Sequence, residues 1–440
     1  MVCREVRCGL IALLVGWTLA ACGPENAGLP ATATSSPPAP AATEVSTDTP
    51  EPTLGEPATL TPGLPTPVAE PPAHLVPGQE LVIQLIRMVD TSTGWAVARA
   101  EDDIDRIVRT SDGGLMWTDV TPPETVTLLG EPRRATLSTL ADAQHAWAIY
   151  SGVFDLERGP IAVVVWRTAD GGATWLPSTL IEAPGGSGFF EPLSLGILDD
   201  GFGWLMAAID AGMMHQYIAI YTTRDGGAHW LRVVDPYGDQ PVQSCPKTGL
   251  EFADAVTGWM ARDCGGLIDQ VTIDVTEDGG TTWELRPVPA PEALPSGFTY
   301  PYLCTPHSIR LTSAREGSFA VSCRQYLETP APGGETLADG PHAIYRTQDG
   351  GATWDVREYP GGAVQWLDDA RGWALGRRIY RTENGGSSWE LVHEVNWDGQ
   401  FIFVDTQNGW AVARDGEEVA LVRTSNGGAS WSLLKPVTAP

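Results

Sequence analysis

Cysteine is the residue whose number and spacing in this chain first suggest chemistry. The 440-residue sequence has seven cysteines, and four of them lie in its second half, at Cys245, Cys264, Cys304 and Cys323. An even number of cysteines in an exported chain indicates disulfides, and four cysteines allow three pairings. A zinc site is disfavoured because the sequence has no Cys-x-x-Cys pair and no histidine at ligand spacing from these positions. We therefore expect disulfide bonds and no bound metal.

Carboxylates are the other side chains that could do chemistry, because glycoside hydrolysis needs only two of them at a suitable separation. The chain has 55 aspartates and glutamates, so counting alone leaves that reaction open. It has no His-Glu-x-x-His arrangement and no Gly-x-Ser-x-Gly serine, the signatures of two common hydrolase classes. We assign no catalytic residue and no cofactor from the sequence, and we keep a glycoside hydrolase as the alternative to a non-catalytic role.

The N-terminus has the features of an export signal. A short basic start is followed by an apolar run from Gly9 to Ala21, which is shorter than a membrane-spanning helix and typical of a signal peptide. Residues 19–22, Leu-Ala-Ala-Cys, resemble the lipobox of bacterial lipoproteins, in which the cysteine thiol is acylated. The resemblance implies a signal peptide at residues 1–21 and lipidation of Cys22 at the outer face of the cytoplasmic membrane, in the cell envelope. An ordinary signal peptide cleaved near Ala21 is the alternative.

Residues 22–73 form a segment rich in proline, threonine and alanine. Thirteen prolines and nine threonines lie between Gly23 and Pro72, with almost no aromatic or β-branched aliphatic residue to bury. Such a composition cannot offset the entropy cost of ordering the chain, so we predict a disordered linker that is semi-extended where proline dominates. The folded domain is then expected at residues 74–440.

Net charge restricts the partners of the folded domain. The chain has 27 lysines and arginines against 55 acidic residues, a formal charge of −28. A surface that negative repels phosphate backbones, which argues against a nucleic-acid partner. We expect a monomer that contacts the membrane through its lipid anchor and binds a protein partner of unknown identity, with carbohydrate as the other ligand class.

One eight-residue pattern, the Asp box, recurs seven times beyond the linker. Its form is Thr-x-Asp/Asn-Gly-Gly-x-x-Trp, from TSDGGLMW at Thr110–Trp117 to TSNGGASW at Thr424–Trp431. The acidic or amide position is occupied by Asp112, Asp170, Asp225, Asp278, Asp349, Asn384 and Asn426. The closing aromatic residue is Trp117, Trp175, Trp230, Trp283, Trp354, Trp389 or Trp431.

The spacing within the Asp box has a physical explanation. The Asp or Asn side chain accepts hydrogen bonds from backbone N–H groups that follow it, and the two glycines supply positive φ angles. The pattern therefore closes a tight hairpin. The tryptophan on the returning strand is expected to lie in the hydrophobic layer beneath, where a buried Trp covers about 150–250 Å².

A second pattern, a small residue followed by an aromatic residue and an apolar strand, alternates with the Asp box. Its aromatic residues, each preceding one Asp box, are Trp95, Trp147, Trp204, Trp259, Phe319, Trp373 and Trp410. The combined unit has four antiparallel strands, so the sequence predicts an all-β protein with a single seven-bladed β-propeller. Trp283 and Trp354 are 71 residues apart, but only one such strand lies between them. The surplus is interpreted as a loop, Glu328–Pro341, and not as an eighth blade.

The same repeat register favours one pairing of the cysteines. Cys245 and Cys264 are 19 residues apart, as are Cys304 and Cys323, and each pair brackets the aromatic residue of the second pattern at nearly the same offset. Equivalent positions in adjacent blades imply the same local crosslink twice. We predict the disulfides Cys245–Cys264 and Cys304–Cys323, between the first two strands of blades 4 and 5, each contributing about 3 kcal/mol.

The two patterns, repeated seven times over Leu75 to Pro440, resemble the Ycf48-like (Hcf136-like) photosystem II assembly factors, within the wider BNR/Asp-box, sialidase-like propellers. The resemblance implies a non-catalytic binding or assembly scaffold for membrane or envelope proteins. The chain differs from that family by its lipobox, its long linker and its acidity, so a photosynthetic role does not follow.

Sialidases also carry Asp boxes, which keeps a sialidase-like or other polysaccharide-active enzyme as the alternative. Their first arginine lies in an Arg-Ile-Pro motif, which this chain lacks; its nearest string, DRIVRT at Asp105–Thr110, is expected to be the third strand of blade 1. The candidate contact surfaces are the longer insertions Gly185–Phe190 and Glu328–Pro341. Three tryptophans fall outside the repeats and are candidates for a binding face, although core packing is favoured: Trp166, Trp366 and Trp397.

Overall fold

The computed structural model describes residues 75–101, 104–123, 135–150, 162–184, 190–198, 201–212, 215–238, 245–264, 271–294, 297–298, 300–329, 331 and 336–440. The predicted signal peptide, Cys22 and the predicted linker lie outside these residues. The described part of the chain contains no helix with the length and hydropathy needed to cross a bilayer.

The described chain folds into strands that follow the predicted repeat, four to each blade. Blade 1 contains β1 (Val82–Met88), β2 (Gly94–Arg99), β3 (Asp105–Thr110) and β4 (Met116–Asp119). Blade 2 contains β5 (Ala135–Leu140), β6 (Ala146–Tyr150), β8 (Val165–Thr168) and β9 (Leu176–Pro177), with a two-stranded ladder of β7 (Ala162–Val163) and β10 (Ile181–Glu182) beside it. Blade 3 contains β11 (Glu191–Ile197), β12 (Gly203–Gly212), β13 (His215–Thr223) and β14 (Leu231–Val234).

The other four blades repeat this organisation. Blade 4 contains β15 (Lys247–Phe252), β16 (Gly258–Arg262), β17 (Thr272–Thr276) and β18 (Glu284–Pro287). Blade 5 contains β19 (Tyr302–Leu311), β20 (Gly317–Tyr326), β21 (Leu337–Thr347) and β22 (Asp355–Glu358). Blade 6 contains β23 (Ala363–Trp366), β24 (Gly372–Leu375), β25 (Arg378–Thr382) and β26 (Glu390–Glu394). Blade 7 contains β27 (Asp398–Phe403), β28 (Gly409–Asp415), β29 (Glu418–Thr424) and β30 (Ser432–Leu433).

The four main strands of each blade form an antiparallel meander, which is interrupted in blade 2 by β7, the partner of β10. The turns between the first and second strands and the Asp-box turns therefore lie on one side of the ring, here called the Asp-box face. Hairpins between the second and third strands, and connections between blades, lie on the other side, here called the opposite face. The prediction of an all-β, seven-bladed propeller is confirmed.

The ring closes through the C-terminal strand. β31 (Val437–Thr438) runs parallel to β4, with Thr438 opposite Trp117, and becomes a fifth strand of blade 1. The N-terminal residues then bond to the same strand, because the Gly78 N–H donates to the Thr438 carbonyl oxygen at 3.0 Å. The two ends of the domain are thereby held together at blade 1.

The aromatic residue of the second pattern forms the core between blades. It is nearly or completely buried in all seven blades. The ring of Trp147 lies 5.5 Å from that of Trp230 in blade 3, and Trp373 stacks on Phe403 of blade 7 at 4.2 Å. The Trp95 indole N–H also donates to the Asp142 carbonyl oxygen in blade 2 at 2.8 Å. In these three blades the side chain is packed on, or bonded to, the blade that follows.

The Asp boxes share one hydrogen-bond network. In all seven, the Asp or Asn Oδ1 atom accepts from the backbone N–H four residues later at 2.9–3.0 Å. The threonine hydroxyl donates to the same side chain at 2.7–3.0 Å and accepts from the second glycine N–H at 2.9–3.0 Å. Both glycines of each box have φ between 68° and 97°. Side-chain hydrogen bonds therefore close the turn, and the hydroxyl of the first threonine makes two of them.

The Asp-box tryptophans are less buried than the sequence analysis predicts. Only Trp117 is fully buried, whereas the other six are half-buried. The reason is β31, which covers the outer edge of blade 1 beside Trp117 and has no counterpart among the described strands of the other blades.

Candidate functional site

The two predicted disulfides are present on the opposite face. Cys245 pairs with Cys264 in blade 4, and Cys304 pairs with Cys323 in blade 5, with Cα atoms 5.0 and 4.0 Å apart. Cys304 and Cys323 are directly opposed in β19 and β20. Both crosslinks join the first two strands of their blades near the opposite-face ends, so they make this part of the ring rigid.

Blades 3 and 5 carry unusually long strands beside these disulfides. β12 and β13 have 10 and 9 residues, and β19, β20 and β21 have 10, 10 and 11, whereas every other strand has seven or fewer. Because strands of all blades end at similar positions on the Asp-box face, the extra length projects from the opposite face. Two hairpins therefore extend outward, one on either side of blade 4.

A pair of exposed tyrosines lies on the blade 3 projection and is called the blade 3 pair. Tyr217 and Tyr237 are 37% and 53% exposed, and their rings stack with centroids 6.2 Å apart at an interplanar angle of 22°. Asp210 lies opposite Tyr217 in the β12–β13 register, and the Tyr237 N–H donates to Asp235 at 3.0 Å. Partial burial and then the negative charges of Asp210 and Asp235 raise the pKa of the Tyr237 hydroxyl. Two carboxylates thus lie beside an open aromatic surface.

A second stacked pair, the blade 5 pair, lies on the other projection. Tyr300 is 76% exposed and Tyr326 is 39% exposed, with ring centroids 5.9 Å apart at 27°. The Tyr326 N–H donates to the Pro301 carbonyl oxygen at 2.8 Å, which fixes the two chain segments that carry the rings. Large aromatic rings left exposed in pairs are uncommon on a domain that buries its other aromatics well, and they indicate a recognition surface.

The insertions and tryptophans singled out in the sequence are placed differently from these pairs. Residues 185–189 of the first insertion lie outside the described residues, and Phe190 is buried. The interpretation of Glu328–Pro341 as a loop is wrong at its C-terminal end, because Leu337–Pro341 belong to β21. These residues extend the β20–β21 ladder. In it, Arg324, Gln325 and Tyr326 of β20 pair with residues 337–339.

The three tryptophans outside the repeats take part in packing, with Trp166 buried and the other two half-buried. Trp166 is 6% exposed, and Trp366 lies beneath the Arg346 guanidinium, whose carbon is 4.0 Å from the ring centroid. Trp397 stacks on Phe401 at 5.3 Å. They are therefore part of the packing between and within blades, and Trp366 also lines a cavity at the Asp-box end of the channel.

A ring of side-chain bonds surrounds the central channel. The innermost strands of neighbouring blades share no ladder, and polar side chains from one such strand bond to the backbone of the next. This linkage joins six neighbouring pairs of blades in the described part of the chain, through Thr139, Ser194, Thr248, Ser308, Gln365 and Gln400. It gives the opposite face a rigid base.

Blade 4 contains a buried ionic cluster below its disulfide. Arg262 Nε lies 3.5 Å from Asp274 Oδ2, and both side chains are almost fully buried. Burial raises the pKa of Asp274 and lowers that of Lys247 to about 8. Arg262 and Asp274 are enclosed, so this ion pair is not accessible to a ligand. No three potential metal ligands among the described residues lie together.

The four exposed tyrosines are not identified as candidate binding residues in the sequence analysis. Tyr237 occurs in a DPYGD turn and Tyr300 in a TYPY string, both within long connections between blades. Aromatic residues in Pro- and Gly-rich connections, which have no core to enter, were the available signal.

Comparisons with known proteins support the fold only. No protein-family model matches the chain, and no characterised protein was found with a matching sequence. The fold is similar to the GH74 xyloglucanase from Xanthomonas campestris, with 12% identity over 82% of this chain and 68% of that one, at a TM-score of 0.37. It is also similar to an α-L-arabinanase from Penicillium chrysogenum, with 13% identity over 64% of this chain and 89% of that one, at a TM-score of 0.40.

A third similar structure is a puromycin-hydrolysing peptidase from Mycobacterium tuberculosis, with 13% identity and a TM-score of 0.48. It matches 82% of this chain, which spans only 57% of that protein. These three proteins differ in the reactions they perform, so the likeness concerns the propeller and leaves the function of this chain to be argued from its own surface.

Proposed function

We propose that this protein is a polysaccharide-directed propeller of the cell envelope that binds glycan chains across its opposite face. The observation that supports the proposal is the presence of two exposed, stacked tyrosine pairs on that face, one on each side of blade 4. Sugar rings present C–H groups on flat faces and hydroxyls around the edge. An exposed tyrosine offers an apolar ring for the former and a hydroxyl for the latter.

The same surface favours carbohydrate over the protein partner expected from the sequence. Protein interfaces of standard size bury about 800 Å² on each partner around a continuous apolar centre. Here the aromatic surface is divided into two small pairs on separate blades, and carboxylates accompany the blade 3 pair. A long, flexible polymer can contact both pairs at once and gain affinity through avidity.

Rigidity of the projections also supports a binding role. A tyrosine has two side-chain dihedral angles, so ordering it costs little entropy for the area it covers. The blade 5 projection carries the Cys304–Cys323 disulfide, and the Thr248 hydroxyl of blade 4 donates to the Pro306 carbonyl oxygen at its base. The blade 5 pair is therefore organised before a ligand arrives.

An envelope location agrees with the disulfides, which form in extracellular and periplasmic compartments. We further infer, from the lipobox, that Cys22 anchors the chain to the membrane, with the linker carrying the propeller outward. Labelled palmitate should enter the wild-type protein in cells and be absent from Cys22→Ala. Labelling of both forms would contradict the anchor.

Hydrolysis is the second candidate, and one observation favours it. Asp210 and Asp235 lie beside the same tyrosine pair, and glycosidases act through two carboxyl groups that flank the bound sugar. Asp235 is also paired with Arg232, whose Nη2 atom is 3.1 Å away. A sugar ring stacked on Tyr237 would lie close to the carboxylates of Asp210 and Asp235.

One experiment separates the two candidates. The full chain, purified in detergent, is incubated with immobilised β-glucan, arabinan, xylan and peptidoglycan, and retained protein and released sugars are both measured. Retention without release supports a binding module. Release that is lost in Asp210→Asn or Asp235→Asn, but kept in the distant Asp398→Asn, supports the hydrolase. If the protein is not retained and no sugar is released, the proposal is contradicted.

A further inference from the structure

The channel opens at the Asp-box face into a cavity of about 530 Å³. Residues at the ends of the inner strands line it, and volumes of this size hold small organic ligands in many proteins. Of its lining residues, only Arg87, Glu251 and Arg310 carry charge. They come from blades 1, 4 and 5, so this site is separate from the tyrosine pairs and on the other side of the ring.

Arg87 is a cation without a protein partner. Within the described part of the chain its guanidinium makes no hydrogen bond and no ion pair, and burial lowers its pKa without removing the charge. A chain with a formal charge of −28 has many carboxylates available, and most of its described arginines are paired, hydrogen-bonded or stacked on an aromatic ring. Arg87 is thus an exposed cation at the wall of the cavity, where its guanidinium is available to a ligand.

Arg310 is only weakly neutralised on the same cavity. Its Nη1 atom is 3.9 Å from Asp369 Oδ1, beyond hydrogen-bond distance, and the Asp369 side chain is 95% exposed. Glu251 also lies near Arg310, but burial raises the pKa of its carboxyl to about 7, against the opposing effects of Arg310 and of a hydrogen bond from the Leu311 N–H. The lining therefore has two guanidinium groups against one carboxyl, which is an excess of positive charge.

Most of the other lining residues are apolar, and Ser308 and Gln365 are polar. Ile309, Val364 and Leu367 are half-buried, because each packs partly against the core and also lines the cavity. The Ser308 hydroxyl is close by, where it accepts from the Val364 N–H at 3.3 Å. The site thus combines guanidinium donors with an apolar wall.

We propose that the Asp-box mouth of the channel binds a small organic carboxylate, with its carboxylate between Arg87 and Arg310 and its apolar body against Ile309, Val364 and Leu367. A guanidinium matches a carboxylate with two parallel N–H donors. A monoanion fits better than a dianion such as phosphate, because Glu251 already supplies part of the negative charge beside Arg310. A hydrated inorganic ion has no apolar group that could pack against the apolar side chains of the cavity.

Benzoate is a suitable probe because it joins one carboxylate to one apolar ring. Calorimetric titration of the full chain in detergent at neutral pH should show saturable binding. Arg87→Gln should weaken it about tenfold or more, since a charge-assisted hydrogen bond is lost. Glu251→Gln should tighten it, because a competing negative charge is removed. Arg378→Gln, which changes an exposed arginine outside the cavity, is the matched control and should bind as the wild type does.

Three results would overturn the proposal. These are no saturable benzoate binding by the wild type, equal binding by wild type and Arg87→Gln, or tighter binding of inorganic phosphate than of benzoate. Thermal unfolding of each variant is recorded in parallel. Arg87→Gln is expected to fold as the wild type does, because Arg87 makes no bond within the described part of the protein. The outcome is independent of glycan binding, so each proposal can fail alone.

Discussion

The side-chain amide of Gln400 in blade 7 bonds both backbone polar groups of Ile86 in blade 1. Its Oε1 atom accepts from the Ile86 N–H at 3.1 Å, and its Nε2 atom lies 3.4 Å from the Ile86 carbonyl oxygen, to which it donates. Gln365 bonds Phe403 in the same two-sided way, at 3.0 and 2.9 Å, between blades 6 and 7. A glutamine thus replaces a strand partner where the inner strands of two blades meet without a ladder.

Gln400→Leu is expected to destabilise the protein by about 1–3 kcal/mol, because the Ile86 N–H and carbonyl lose their partner at the interface that closes the ring. Urea unfolding followed by tryptophan fluorescence measures this change. Gln407→Leu, at an exposed turn of the same blade, is the control and should shift the free energy of unfolding by no more than about 0.5 kcal/mol. Equal effects of the two substitutions would contradict a closing role for Gln400.

Gly203→Ala tests the packing between blades 2 and 3. A methyl group at this position would lie 2.5 Å from the Trp147 ring and 2.7 Å from the Gly196 carbonyl oxygen. Neither neighbour can move without disturbing the core, so we expect a loss of about 1–3 kcal/mol. Gly376→Ala is the matched control, because a methyl group there meets nothing within 4 Å. Thermal unfolding of both variants checks the prediction, and similar melting temperatures would refute it.

The Asp boxes should make stability depend on pH in the acid range. Hydrogen bonds, the first of them from the Thr174 hydroxyl, lower the pKa of Asp170 from 3.8 to about 2, and Thr353 lowers that of Asp349 likewise. A carboxyl whose pKa is lower in the folded state stabilises the fold above its unfolded pKa. That stabilisation is lost as the pH falls from about 4 to about 2.

Asp170→Asn combined with Asp349→Asn should therefore make the melting temperature less sensitive to pH in this window. The hairpins should persist, because Asn384 and Asn426 already occupy the same position and accept the same backbone bond at 2.9 Å. Melting curves at pH 5, 4, 3 and 2 measure the effect. A pH dependence as steep as that of the wild type would show that other groups control acid unfolding.

Loss of the blade 5 disulfide is expected to cost about 3 kcal/mol, because the bond closes a loop of 19 residues in the unfolded chain. The double variant Cys304→Ser with Cys323→Ser is compared with the wild type by urea unfolding under oxidising conditions. Addition of reductant should lower the stability of the wild type further than that of the variant, since the wild type has two bonds to lose. An unchanged unfolding midpoint would contradict the presence of a stabilising disulfide at these two cysteines.

The features that the sequence could predict are local ones. An Asp box is closed by bonds that span no more than four residues, so its eight letters contain the whole turn. The disulfide partners are likewise in adjacent strands of one blade. Repetition of these short units then determined the number of blades.

The features that were missed depend on residues far apart in the chain. Gln400 and Ile86 are separated by 314 positions, and no short pattern relates them. Trp117 is fully buried only because β31, more than 300 residues later, covers it. The tyrosine pairs arise from the lengths of the hairpins and connections that carry them, which residue spacing alone did not indicate.

Glycan binding by the tyrosine pairs is the central claim. The most direct measurement is the affinity of the full chain, in detergent, for whichever polysaccharide of the panel retains it best, compared with Tyr237→Ala, Tyr300→Ala and the double variant. Leu433→Ala, which removes an equally exposed apolar side chain from the edge of blade 7, is the control.

We expect each single substitution to weaken binding about tenfold, since stacking on one ring is lost, while Leu433→Ala leaves the affinity unchanged. The double variant should lose more than either single variant, because the polymer then contacts neither projection in full. Wild-type affinity in the double variant, with the fold intact by thermal unfolding, would contradict the claim that this face binds glycans.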